Sequence, residues 1–358
     1  MSKTKVHFLL DHKLMAYRLP FFEQLSSRGY NITVIHSGPI LDNVDYIKQT
    51  ISKPISFPGG IQYRKYKKGK RVDIVVHMQN IRILNLWFLT LNPFQKCKIV
   101  HWGIGTSSTQ GLSLNKTLYS KARSFISKYA DAIILYSDFP ISLFPNKIKN
   151  KIFIANNTVD NPNMIDFSSQ EKTSFLFIGT LNKRKGLEDL IIAFSDLIKK
   201  NKINDIHLNI IGDGKEKDNL IELAKLHSIE SRVNFLGQIT SSKEKEVYFK
   251  KAIASISPKQ AGLSVLESFS YGVPFLAYKD AISGGEHLNI KSGTNGYLLN
   301  DKEELTSTMK EILENTTLSK QLGKNAFNYY KEKRQMKHMV NTFDSAFKYV
   351  LKKENGYI

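Results

Sequence analysis

A single cysteine, Cys97, stands among the 358 residues. It excludes an intramolecular disulfide and a cysteine-based zinc site, and it fits a reducing compartment. Long apolar runs are missing too. The longest, "ILNLWFLTL" (83–91), falls far short of the roughly 20 residues that span a bilayer. The opening "MSKTKVHFLLDHK" meets Asp11 and His12 too soon for a signal peptide and reads as a first strand. These absences predict a cytoplasmic protein. Acidic residues are scarce in one half: residues 1–160 hold 8 Asp and Glu against 23 Lys and Arg, and the remainder 24 against 29. A field concentrated on one half points to an anionic partner there, whether lipid, nucleic acid or a phosphorylated substrate. Lysine excess is also a general route to solubility.

What is present is a series of short apolar runs with helical patterns between them. The first half carries runs at 5–10, 32–37, 72–78, 97–102, 131–137 and 151–156. The second carries them at 174–179, 206–212, 233–237, 252–257, 274–278 and 296–300. Continuous rather than alternating runs fit parallel strands buried on both faces. In "GLEDLIIAFSDLIKK" (186–200), Leu187, Leu190, Ile191, Phe194, Leu197 and Ile198 form one helical face. The alternation predicts an α/β protein with two Rossmann-like, doubly wound domains facing a cleft. Residues 1–160 make the N-terminal domain, 161–173 a polar linker and 174–335 the C-terminal domain. Residues 336–358 form a C-terminal helix expected to pack back on the first domain.

The stretch "ISPKQAGLSVLESFSYGVPFLAY" (256–278) carries the clearest chemistry. Gly262 permits close approach to a ligand. The helix start near Leu263 offers unpaired N–H groups to a phosphate, those of Leu263, Ser264 and Val265. Glu267 offers two acceptor oxygens to two ribose hydroxyls; alternatively it is a favourable charge in the first helical turn. In "FIGTLNKRKGLEDL" (177–190), a strand ends at Gly179 and the cations Lys183, Arg184 and Lys185 follow. Three adjacent cations repel unless solvent or an anion screens them. "IIGDG" (210–214) is a strand-to-helix turn, not a dinucleotide fingerprint.

The order of these pieces resembles the donor-binding half of the GT-B retaining glycosyltransferases of glycosyltransferase family 4, strongly over about 174–300. The resemblance implies a sugar transferred from a nucleotide donor to a growing, lipid-linked surface glycan such as lipopolysaccharide, capsule or exopolysaccharide, with retention. It implies that Lys185 holds the donor diphosphate and that Glu267 binds the ribose; Arg184 is the candidate to replace a phosphate-binding arginine that this chain lacks. Gly262, Leu263 and Ser264 would meet phosphate or sugar, with Gly179 at its strand end and Phe235 and Gly237 bordering the base. His101 in "IVHWGIG" would contact the transferred sugar; packing is its other reading. Asp11, Tyr17 and Arg18 follow the first strand and are candidates for the acceptor. Two positions depart from the family. Thr180 stands where an arginine is common, and Lys259 where the first of two glutamates belongs; amides of 260–263 are then expected to serve the sugar. No metal and no cofactor are expected, the nucleotide-sugar being a substrate. His7, His36 and His77 are assigned to packing.

"YRKYKKGKR" (63–71) places six cations among nine residues, close before the apolar 81–94. Together they suggest peripheral contact with an anionic membrane; a solvated loop and a buried helix are the plainer readings. Nucleic acid is not expected as a partner, because no recognition motif appears. The alternative functions are a GT-B nucleotide-sugar 2-epimerase, which wants carboxylate acid/base residues, and a non-catalytic sugar-nucleotide or polyanion binder.

Overall fold

A computed structural model describes residues 3–67, 69, 71–106, 112–203 and 205–352. The chain divides into two compact units. One comprises Met1–Ser107, Ser113–Asp160 and Met336–Ile358; the other is built on Asn161–Gln335.

The N-terminal unit is wound around a seven-stranded parallel sheet in the order β3-β2-β1-β6-β7-β8-β9. Its strands are β1 (Thr4–Leu9), β2 (Tyr30–His36), β3 (Lys48–Ile51), β6 (Ile74–Met78), β7 (Lys98–Gly103), β8 (Ala132–Leu135) and β9 (Ile152–Ile154). A separate antiparallel hairpin joins β4 (Pro54–Phe57) to β5 (Ile61–Arg64). The helices are α1 (Leu19–Ser27), α2 (Leu84–Leu91) and α3 (Leu118–Ser127). One sheet face carries the main core, where Val6, Phe8, Val34 and Trp102 meet Phe21 and Phe22 of α1.

In the C-terminal unit the six-stranded sheet runs β12-β11-β10-β13-β14-β15. Its elements in chain order are β10 (Ser174–Ile178), α4 (Leu187–Asn201), β11 (His207–Ile211), α5 (Lys217–Leu226), β12 (Val233–Gly237), α6 (Ser242–Lys251), β13 (Ala252–Ile256), α7 (Ser264–Ser270), β14 (Phe275–Tyr278), β15 (Gly296–Leu299), α8 (Lys302–Glu314) and α9 (Thr316–Lys333). α4 shows why these residues make a helix. Leu187, Leu190, Ile191, Phe194, Leu197 and Ile198 all bury, each worth about 1.5–3 kcal/mol relative to exposure. Glu188 and Asp189 open it and Lys199 and Lys200 close it, as the helix dipole favours. The last helix, α10 (Met336–Lys352), belongs to the first unit and adds Met339, Val340, Phe343 and Phe347 to its core.

Three features differ from the reading of the sequence. Strands β3, β4 and β5 correspond to no apolar run, since KQTI, PISF and IQYR alternate or break. β1 and β2 also alternate along part of their length. Lys5 and Asn31 are exposed, and His7 and Thr33 half-exposed, while Val6, Phe8, Ile32 and Val34 are buried. Finally, residues 161–173 are anchored to the second unit. Phe167 is buried in a stack on Tyr271, and Asn161 donates to the Ser270 hydroxyl.

Candidate functional site

Three neighbouring strands of the second unit, β10, β11 and β12, end or turn at Gly179, Gly212 and Gly237. The ends are tied side by side: Gly179 N–H donates to Ile211 O at 3.0 Å and Gly212 N–H to Gly237 O at 2.8 Å. A Cβ on Gly212 would lie 1.8 Å from the Gly179 oxygen, so only glycine permits this approach. Over this floor the chain makes a tight turn at Lys183–Lys185, closed by Gly186 at φ +69°. The Lys185 ammonium is folded back to lie about the Gly179 position, 3.6 Å from where its Cβ would be. Lys183 and Arg184 remain exposed.

Burial lowers the Lys185 pKa and Arg184 pushes the same way, while the Glu286 carboxylate opposes them. Glu286 is itself buried. It accepts from the Ser283 hydroxyl at 3.1 Å and the Gly284 N–H at 2.9 Å. The sequence hides this residue: "SGGEH" shows only a glycine turn after β14, with nothing to mark its reach to Lys185.

The turn before α7 is the second part of the site. A Cβ on Gly262 would meet nothing within 4 Å, so the protein itself makes no steric demand for glycine there. Among the described residues the N–H groups of Gly262, Leu263 and Ser264 have no protein acceptor. Two other amides expected to bind ligand are taken. Val265 N–H donates to Gly262 O at 3.0 Å and Ala261 N–H to Ile282 O at 3.1 Å. Glu267, half-buried one turn into α7, binds Lys245 of α6 through Oε1 at 2.6 Å. Its Oε2 is left for another donor. Nothing in the sequence linked Lys245 to Glu267, because the pairing follows only from how α6 and α7 pack.

Lys259 departs furthest from a ligand role. Its ammonium turns to Asp189 of α4 at 2.9 Å, and its backbone N–H donates to Lys185 O at 3.2 Å. Asp189 also accepts from the Tyr278 hydroxyl. The lysine therefore pins the loop before α7 to the basic turn instead of presenting a charge where a glutamate was expected.

The predicted residues of the first unit belong to other surroundings. His101 is wholly buried. Its Nε2 meets the Thr90 hydroxyl of α2 at 2.9 Å and its Nδ1 the Ser127 hydroxyl of α3 at 3.4 Å. Burial, then the neighbours His77 and Lys151, lower its pKa to about 3. The expectation that His101 faces an open site is corrected: strand parity turns it under the helices. Arg18 is corrected too. It is 6% exposed, stacks 4.7 Å over Trp102 and donates to the Tyr136 hydroxyl at 2.9 Å. It braces the ends of β7 and β8, while its neighbour Tyr17 stays exposed. Asp11 accepts from Asn80 at 3.1 Å and pairs with His12 at 2.5 Å. Burial alone would raise its pKa, but His12, Asn80 and Arg64 outweigh that and hold it low.

The stretch that carries these residues is similar to a known family. Residues 164–329 match the model of glycosyl transferases group 1. The stretch is a glycosyl transferases group 1 domain. A glycosyltransferase of Haemophilus influenzae is 30% identical over 202 residues, 54% of each chain. The N-acetyl-alpha-D-glucosaminyl L-malate synthase of Bacillus anthracis is 22% identical over 94% of each. A lipopolysaccharide core biosynthesis glycosyltransferase of Rhizobium meliloti is 26% identical over 41% of each. The chain thus spans about half the length of the first curated relative it matches. Among solved structures, Anabaena HepE in complex with UDP superposes with a TM-score of 0.71 at 15% identity, covering 96% of this chain and 99% of that one. That likeness is one of fold, and the fold is GT-B. The group 1 domain contains every residue discussed here from Gly179 to Glu286.

Proposed function

We propose that the protein is a glycosyltransferase that takes a sugar from a nucleoside-diphosphate sugar and adds it to a growing, lipid-linked surface glycan with retention. The observation that carries the donor side is Gly262. Its open surroundings and three unengaged amides precede Glu267 on a loop that the Lys259 N–H ties to Lys185, in a stretch matching the group 1 family. In this reading the amides of Gly262, Leu263 and Ser264 and the cations Lys185 and Arg184 take the charge that develops on the leaving diphosphate. Preorganised groups of this kind contribute several kcal/mol to transition-state stabilisation. Lys185 is suited to it, because burial leaves its ammonium poorly solvated. Glu267 Oε2 takes a ribose hydroxyl while Lys245 holds Oε1. The proposed reaction uses no cofactor. The Rhizobium relative's name supports a surface glycan as acceptor, and that of the Bacillus relative shows how far acceptors diverge within such likeness.

The proposed setting is the cytoplasmic membrane face. Among the described residues no helix is long and apolar enough to cross a membrane. On and just after α2, however, Phe88, Leu91 and Phe94 are exposed at 61%, 44% and 87%. This apolar patch supports peripheral docking. The cations Lys68 and Lys70 of the basic stretch lie outside the described residues.

Calorimetric titration with UDP, GDP, ADP and CDP tests the donor site. One nucleotide should bind selectively. Glu267→Ala should weaken it about tenfold or more, the loss of a charged hydrogen bond. Gly262→Ala should weaken it while leaving stability within about 0.5 kcal/mol, since its methyl group meets no protein atom. Unchanged affinity in both variants would remove the site assignment.

A further inference from the structure

A cavity of 810 Å³ lies wholly within the N-terminal unit, apart from the group 1 domain. Its floor is the β1–β2–β3 face that carries Lys5, His7, Thr33, Ile35, Lys48 and Thr50. These positions are in register: His7 pairs with Thr33, Thr33 with Lys48, and Ile35 with Thr50. Ile55 of the hairpin and, after β5, Lys65, Tyr66, Lys67, Arg71 and Val72 form the wall.

The charge of this basin is one-sided. Lys5, Lys48, Lys53, Lys65, Lys67 and Arg71 line it, and no Asp or Glu does so among the described residues. None of the six makes an ion pair among the described residues. A solvated loop of lysines would point its charges apart. Here the cations come from two strands, the turn after β3 and a loop, and they converge on one concavity. Like charges gathered on one concavity repel, more strongly near a protein surface than in bulk water. An oxyanion ligand would relieve the repulsion of the whole set.

The remaining lining narrows the ligand. Thr33 and Thr50 place hydroxyls on the floor, and Ile35, Ile55 and Val72 supply apolar contact. His7 and Tyr66 hold each other through Nδ1 and the phenol at 2.9 Å, joining the floor to the wall. Cations for oxyanions, hydroxyls for hydroxyls and aliphatic patches for ring faces describe a charged saccharide. A concave basin also suits a chain better than a flat bilayer.

We propose that this basin binds an anionic glycan, a saccharide segment carrying phosphate or carboxylate groups. The inference deepens the acceptor side of the glycosyl-transfer reading and rests on it. It makes the acceptor a charged polymer.

The test is calorimetric titration of the full chain at 0.15 M salt with hexagalacturonate, phosphorylated maltohexaose and neutral maltohexaose. The two anionic saccharides should bind and the neutral one should not. The double variant Lys48→Glu/Lys65→Glu should weaken them about tenfold or more, as expected for two lost charge contacts. Both lysines are exposed, so the fold should tolerate the changes. Lys320→Glu/Lys331→Glu on α9, with the same change in net charge, should stay within about twofold. Equal weakening by both double variants, binding of neither anionic saccharide, or binding only to phosphatidylglycerol vesicles would overturn the proposal. So would a single-stranded oligonucleotide binding more tightly than either saccharide. Nucleotide titrations on the same variants separate the two readings. The basin variant should bind nucleotide normally, whereas a failed donor site would show as absent nucleotide binding with saccharide binding intact.

Discussion

β1 and β10 hold the same place in their sheets. Each begins its unit, is followed by a helix and its parallel neighbour, and sits between the strand that follows it and one that comes later. On one face the two behave alike: Val6 and Phe8 are buried under α1, as Phe175 and Phe177 are under α4. On the other face they part. Leu176 and Ile211 are sealed by Phe249 of α6 together with Phe167, Tyr271 and Val273. The corresponding face of β1 and β2 begins with Lys5, His7 and Thr33, and only Leu9 and Ile35 reach a small apolar cluster. Where the second unit returns to its sheet through α6, the first returns through the hairpin and the segment after it. A parallel sheet needs both faces covered when its strands are apolar on both. Replacing one covering helix by a hairpin frees that face to carry charge, and the strand sequences have changed accordingly.

The sharpest way to break this comparison is to open the closed face. Phe249 is wholly buried and stacks 4.4 Å from the Tyr271 ring. Phe249→Ala should cost about 3–5 kcal/mol, read by urea unfolding. His7→Ala on the open face should cost much less. Similar losses would mean that the basin is core in disguise.

Acid should next separate the units. Burial, the leading cause at each, lowers the pKa of His77 to about 4 and of His101 to about 3. The unfolded chain protonates such groups near 6.5, so their contribution to stability is complete above that value. It declines as pH falls towards the folded values. Between pH 7 and 4.5 the first unit should therefore lose amide protection before the second. Hydrogen exchange, corrected for intrinsic rates, measures this.

The smallest effect is expected from Lys48→Gln. Relief of repulsion in the basin should stabilise the first unit by no more than about 0.5 kcal/mol at low salt, and the gain should vanish at about 0.5 M. A loss of stability instead would show that Lys48 has a structural partner.

The same contrast explains what could be read from sequence. Strands such as SFLFI and IVVHM announce themselves because both faces are buried. KQTI, PISF and IQYR do not, because the elements they build have an exposed side. The alternation Lys5-Val6-His7-Phe8 was the available signal for an open face. In the group 1 domain, Gly179, Lys185, Gly262 and Glu267 were legible as loop chemistry at strand ends. Their partners Lys245, Asp189 and Glu286 were not, since each pairing depends on packing between elements distant in sequence. His101 and Arg18 show the converse limit. Proximity to a strand end does not reveal which side of the sheet a side chain occupies, or that Trp102 and Tyr136 wait to receive a guanidinium.

The last helix has a consequence for biogenesis. The core of the first unit includes Met336, Met339, Val340, Phe343 and Phe347, all translated after the whole of the second unit. A ribosome makes the first unit's sheet early, yet its hydrophobic interior stays incomplete until the final helix emerges. The unit made second can close first. Nascent chains stalled between the two should expose the Phe8–Phe21–Trp102 cluster to chaperones, although the whole second unit has already been synthesised.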